Sequence, residues 1–63
     1  MKKDRNYIEM LAKRIKESDA WNMEDVRELC KEAYMLEEFE AAGYETYKLV
    51  AYQAAAVLGV EIR

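Results

Sequence analysis

The sequence predicts an all-α fold, a three-helix antiparallel bundle with helices over about residues 4–18, 22–42 and 44–58. Proline is absent, and Ala, Leu, Glu, Lys, Met and Arg dominate, residues that lose little freedom in a helix. The only two glycines, Gly43 and Gly59, each follow a helical pattern, where a left-handed residue would end it. Apolar residues recur at the helical period over most of the chain. At 63 residues the whole of 1–63 is read as a single small helical domain.

The first helix is an ordinary surface helix. Tyr7, Ile8, Leu11 and Ile15 share one face, while Glu9, Lys13 and Lys16 share the other. The second has a clear start signal. Asn22 can accept from the backbone N–H of Asp25, Asp25 can reach back in a variant of the capping box, and Trp21 and Val26 occupy the two positions of a hydrophobic staple. Glu24 and Asp25 stand where the helix dipole favours negative charge. Trp21 is therefore read mainly as a structural peg.

The second helix then conflicts with itself. Val26, Leu29, Cys30 and Ala33 stay within about 60° of one direction, yet Glu37 and Glu40 later arrive on that same direction. Over the last two turns the apolar side moves to Met35, Phe39 and Ala42. Either the second half faces something other than the core, or the helix bends near Met35, because a straight helix would bury carboxylates.

In the third helix, Tyr47, Val50, Ala51, Ala54, Val57 and Leu58 form one broad apolar face, and Leu49, Tyr52 and Ala56 form a second stripe behind it. A helix apolar nearly all round is a buried helix. A lone chain this short cannot bury it. At about 60 residues only roughly 60% of the unfolded surface is buried, and disulfides, metals or oligomerisation usually supplement the core. One cysteine, Cys30, leaves no intrachain disulfide, and the lack of histidine leaves no usual zinc set, so no cofactor or metal is expected. Oligomerisation remains. The expected contact surface comprises Met35, Phe39, Tyr44, Tyr47, Leu49, Tyr52 and Ala56, with alanines that permit close backbone approach and tyrosines that keep their hydroxyls near water. A second copy of the chain, most simply in a dimer, is the expected partner.

Charge is uneven. Residues 1–18 carry six basic and three acidic side chains, while the rest carry four basic and ten acidic, giving −3 in all. Such a balance makes nucleic acid an unlikely partner, since phosphate neutralisation needs a sustained basic surface. Glu32, Glu37, Glu38, Glu40 and Glu45 form an acidic surface suited instead to a basic protein. No apolar run is long enough to span a membrane, and the opening MKKDRNYIEM lacks a signal peptide's apolar core, so a cytoplasmic protein is expected.

Catalytic constellations are missing. Without histidine, neither Ser18 nor Cys30 has the usual base, and Cys30 falls on the core side of its helix, where a thiol is inert; a disulfide between copies is the alternative reading. Glu37 and Glu40 could face a hard cation, but a solvated acidic face is the simpler account. The glycines lack the neighbours of any phosphate loop. No enzyme activity is expected.

The segment AAAVLGVEIR resembles the first helix and turn of helix-turn-helix DNA-binding proteins, with Ala55, Gly59 and Val60 in the alanine, glycine and following apolar positions and Ala54 and Leu58 as flanking core positions. The resemblance covers about ten residues and implies a DNA-associated regulator, truncated because the sequence stops at Arg63 before a reading helix. In length and acidity the chain is also similar to small phage-type inhibitor and sequestering proteins. That likeness implies a small anionic, nucleotide-like ligand held between subunits, where Tyr44, Tyr47 and Tyr52 could stack and Arg27 or Lys48 supply charge. The leading expectation is a non-enzymatic, homo-oligomeric interaction module or inhibitor.

Overall fold

In the computed structural model, which describes residues 5–63, four helices follow one another: α1 (Arg5–Glu17), α2 (Met23–Glu32), α3 (Leu36–Ala41) and α4 (Tyr47–Leu58). The all-helical class is as expected from the sequence; the number of helices is not. α2 is central and touches each of the others.

The amphipathic pattern of α1 places Ile8, Leu11, Ala12 and Ile15 in the core, and Arg14 and Lys16 fall in its last turn, where the dipole favours cations. α2 begins where the cap signal put it. The Asn22 side chain accepts from the N–H groups of Glu24, at 2.8 Å, and Asp25, at 3.4 Å. The Asp25 carboxylate, itself buried, meets Arg14 Nη2 at 3.2 Å, and the Tyr7 hydroxyl donates to Glu28 at 3.3 Å, so two polar ties join α1 to α2.

The long helix expected over 22–42 is broken. After Glu32 the chain turns through Tyr34, whose φ of 59° is left-handed, and restarts as α3. The Met35 N–H bonds to the Cys30 carbonyl at 2.8 Å and the Tyr34 N–H to the Lys31 carbonyl at 3.0 Å, the paired bonds of a Schellman ending. The physical reason is the phase conflict at Glu37 and Glu40. A left-handed non-glycine residue costs roughly 1–2 kcal/mol, whereas burying an unpaired carboxylate costs several. Breaking the helix exposes Glu37, Glu38 and Glu40 and turns Phe39 into the core.

Gly43 differs from expectation as well. α3 ends with Ala42 in an extended conformation (φ −71°, ψ 141°), and Gly43 has no positive φ. Gly43 instead opens the turn into α4: its N–H donates to Thr46 Oγ1 at 2.9 Å, and its carbonyl accepts from the N–H groups of Thr46 and Tyr47 at 3.0 and 3.1 Å. α4 consequently starts at Tyr47 and not at 44. Gly59 does what the pattern required. At φ 73° it ends α4 in a second Schellman motif, with Val60 N–H on the Ala55 carbonyl at 2.9 Å. Arg5 clamps this end by donating to the carbonyls of Leu58 and, at 3.1 Å, Gly59.

The core combines the buried face of α1 with Val26, Leu29, Cys30 and Ala33 from α2, Phe39 from α3, and Ala51, Ala54 and Ala55 from α4. Ile62 completes it, so the short tail docks. Val57, expected on the buried face of α4, is 66% exposed. The buried side is centred on Ala51, Ala54, Ala55 and Leu58, and Val57 projects about 110° away from that centre.

Candidate interaction surface

α4 is the least polar element, and its buried face accounts for only part of its apolar surface. Lys48 is the only charged residue between Tyr47 and Leu58. The outward positions are Lys48, Leu49, Tyr52, Gln53, Ala56 and Val57, four of them apolar. Leu49 is 63% exposed and Tyr52 36%, so α1 does not cover the second stripe. The face exposes Leu49 and Val57 on either side of the polar Gln53, with Tyr52 partly open beside them.

Aromatic rings edge this strip and brace it. Trp21 meets Tyr52 edge-on with centroids 5.4 Å apart and Tyr47 at 6.3 Å, while Tyr47 meets Phe39 at 6.4 Å and Tyr44 at 6.1 Å. Edge-to-face pairs at such separations contribute about 0.5–1.5 kcal/mol beyond burial. Cations lie over two of the rings: Lys48 Nζ is 5.8 Å from the Trp21 centroid, and the Arg63 guanidinium 5.5 Å from that of Tyr52. Tyr52 is thereby held between Trp21 and Arg63. A shallow groove of about 450 Å³ runs beside it, lined by Tyr52, Ala55, Ala56 and the tail from Val60 to Arg63.

The seven residues singled out by the sequence divide. Leu49, Tyr52 and Ala56 lie together on the outer face of α4, and Tyr44, 89% exposed, stands just before it. Phe39 is taken up by the chain's own core, and Met35 and Tyr47 are half-buried against it. Three residues went unnoticed in the sequence: Trp21 as a bridge to α4, Arg63 as a cover for Tyr52, and Val57 as part of the outer strip. The signal for the tail was the alternation of Val60, Glu61 and Ile62, which reads as an extended segment with one docked side.

The acidic residues form a different surface. Glu37, Glu38, Glu40 and Glu45 are exposed and Glu32 is half-buried. Arg27 Nη2 reaches Glu40 at 2.8 Å, and no basic residue lies in the last turn of α3. Among the described residues, no group of three or more His, Cys, Asp or Glu side chains is placed to hold a metal ion. Cys30 is fully buried, and loss of solvation pushes its thiol up to about 11, which makes it a poor nucleophile and keeps it from a partner's thiol. Burial, then the charge of Glu28, also raises Tyr7.

A groove of about 670 Å³ lies between α1 and the tail. Its cations Arg5, Lys13 and Lys16 are matched by Glu9, Glu17 and Glu61, so it has no net attraction for an anion. Among the described residues no helix is long and apolar enough to cross a membrane. Compared with protein-family models, curated proteins and solved structures, the chain has no significant match.

Proposed function

We propose that this chain is a non-catalytic interaction module that assembles with itself through the outer face of α4. The supporting observation is the strip of Leu49, Tyr52, Ala56 and Val57, three-fifths or more exposed at Leu49 and Val57, on a helix whose only charge is Lys48. Large apolar side chains left exposed together on one helix face support an association site. The rings behind Tyr52 pre-organise it, which lowers the entropy lost when it becomes an anchor. In this reading the chain binds and does not catalyse.

The acidic surface supports a second, external partner. Glu37, Glu38 and Glu45 project on the side of α3 and its following turn, and a basic protein would complement them, as in an inhibitor that occupies a cationic site. The same acids oppose nucleic acid, and the balanced α1 groove gives little support to a small anionic ligand. The test is thermal unfolding at several protein concentrations. Assembly makes Tm rise with concentration. Leu49→Arg should abolish that dependence, whereas an unchanged Tm in the parent protein would remove the basis of the proposal.

A further inference from the structure

The segment after Gly59 fills a gap in the bundle and is lightly held there. α1 and α4 both pack on α2 and hardly touch each other, and Val60–Arg63 closes the space between them, with Ile62 2% exposed in the core they share. The backbone is tied where the segment begins, by the Val60 N–H on the Ala55 carbonyl and by Arg5 on the Gly59 carbonyl. Among the described residues no backbone–backbone hydrogen bond reaches Glu61, Ile62 or Arg63. Beyond Val60, one buried side chain and the contact of Arg63 with the Tyr52 ring hold it in place.

We infer that this segment is a stand-in for an external ligand: the channel between α1 and α4 binds an extended stretch of a partner protein whose side chains run apolar, acidic, apolar, basic. This goes beyond self-association through α4 and does not depend on it.

Space gives the first argument. The segment lies between two grooves, one of about 670 Å³ against α1 and one of about 450 Å³ against α4, and Val60 and Glu61 border both. The helices are cut back beside it, with Ala12 on one side and Ala55 and Ala56 on the other. Val60–Arg63 therefore leaves the channel part-filled. A bulkier stretch buries more apolar surface there than the chain's own segment does, and displaces it on that surplus. The same segment from a second copy is no larger, so exchange between copies gains nothing in the channel and still costs the freedom of a second chain.

Charge gives the second. With Glu61 set aside, the α1 groove presents Arg5, Lys13 and Lys16 against Glu9 and Glu17, three cations to two carboxylates. An acid at the second position of an incoming stretch takes up that excess. At the fourth position a cation finds the Tyr52 ring, which Trp21 braces edge-on at 5.4 Å and which Arg63 covers at 5.5 Å. The acid and the base are thus received on different helices, which fixes the direction of the stretch.

The test titrates the acetylated, amidated peptide Gly-Val-Glu-Ile-Arg into the unmodified protein and into Ile62→Ala, following Trp21 fluorescence and backbone amide shifts. The chain's own segment lowers the apparent affinity by the fraction of time the channel is open, so Ile62→Ala should bind at least about tenfold more tightly, with shifts at Ala12, Tyr52 and Ala55. Arg63→Ala, which alters an exposed contact and leaves the core intact, should gain about threefold, and it carries the test if Ile62→Ala does not fold. Alanine in place of the peptide's isoleucine should weaken binding at least about tenfold. Tryptophan in place of its valine, filling the grooves that valine leaves open, should tighten binding at least about threefold. Equal binding by the unmodified protein and a folded variant, no binding by any folded variant, or shifts confined to another face overturns the inference. So does a tryptophan peptide that binds no better than the parent peptide, or a dimer mass by light scattering that Ile62→Ala abolishes and Leu49→Arg does not, since the segment would then be exchanged between copies. Loss of that dimer in Leu49→Arg alone, or a single-chain mass throughout, bears on the α4 face and leaves the channel standing.

Discussion

Replacing Tyr34 by glycine and, separately, by alanine should distinguish a broken helix from a continuous one by the sign of a single difference. Tyr34 is 83% exposed and has φ 59°, with its N–H and that of Met35 completing the Schellman bonds to Lys31 and Cys30. Alanine keeps the steric cost of a Cβ in the left-handed region, roughly 1–2 kcal/mol, whereas glycine removes it at some cost in unfolded-state entropy. Tyr34→Gly is therefore expected to be more stable than Tyr34→Ala by about 1 kcal/mol, or roughly 4–8 °C in Tm for a domain of this size. Had residues 22–42 formed one helix, the same position would be interior, and glycine would be the less stable by about 1 kcal/mol. The assay is thermal or urea unfolding followed by circular dichroism at one fixed protein concentration, because assembly shifts Tm. Alanine equal to or better than glycine would refute the broken-helix argument, and with it the account of why Glu37 and Glu40 face water.

Further outcomes follow from the core, the thiol and the strip. Ile62, 2% exposed, anchors the tail, and Ile62→Ala should cost about 2 kcal/mol, the low end for such truncations because a chain terminus relaxes readily; a loss under about 0.5 kcal/mol, close to an ordinary surface substitution, would show that the tail does not dock. Cys30 should resist alkylation in the native state and react fully in denaturant. Its folded value of about 11 lies above the ordinary 9.0, so its contribution to stability is complete below about pH 9 and is lost as pH rises from 9 to 11. Rapid native labelling at neutral pH would contradict its burial. Val57→Arg should weaken assembly at least about tenfold, a loss of about 1.4 kcal/mol, while leaving far-ultraviolet circular dichroism unchanged.

Much of this arrangement is legible in the sequence. The face of α1, the Asn22 cap and the Gly59 ending follow from local rules that the chain obeys without competition. The break at Tyr34 was visible only as a conflict of phase. The left-handed residue is a tyrosine, so no glycine marked the site, and the trace was the misplaced Glu37 and Glu40 together with the move of the apolar side to Met35, Phe39 and Ala42. Gly43 misled for the opposite reason, since a glycine after a helical run reads as its end, although this one opens the next turn through Thr46. On α4 the sequence identified two apolar sides but assigned Val57 to the wrong one. Alanine-rich faces differ little in hydrophobicity, and the packing of Ala51, Ala54 and Ala55 against the central helix decides the rotation. The aromatic set was found as residues but not as an arrangement. That Trp21 braces Tyr52 while Phe39 retires into the core depends on where the loop before α2 meets α4, a tertiary relation that no spacing encodes.

Sedimentation equilibrium of the unmodified protein over a hundredfold range of concentration addresses the central claim most directly. A chain that hides the outer strip of α4 against its own copy should approach twice its 7.4 kDa mass as concentration rises and return toward the single-chain mass on dilution. A constant mass of 7.4 kDa over that whole range, with Leu49 and Tyr52 still open to water, would contradict it.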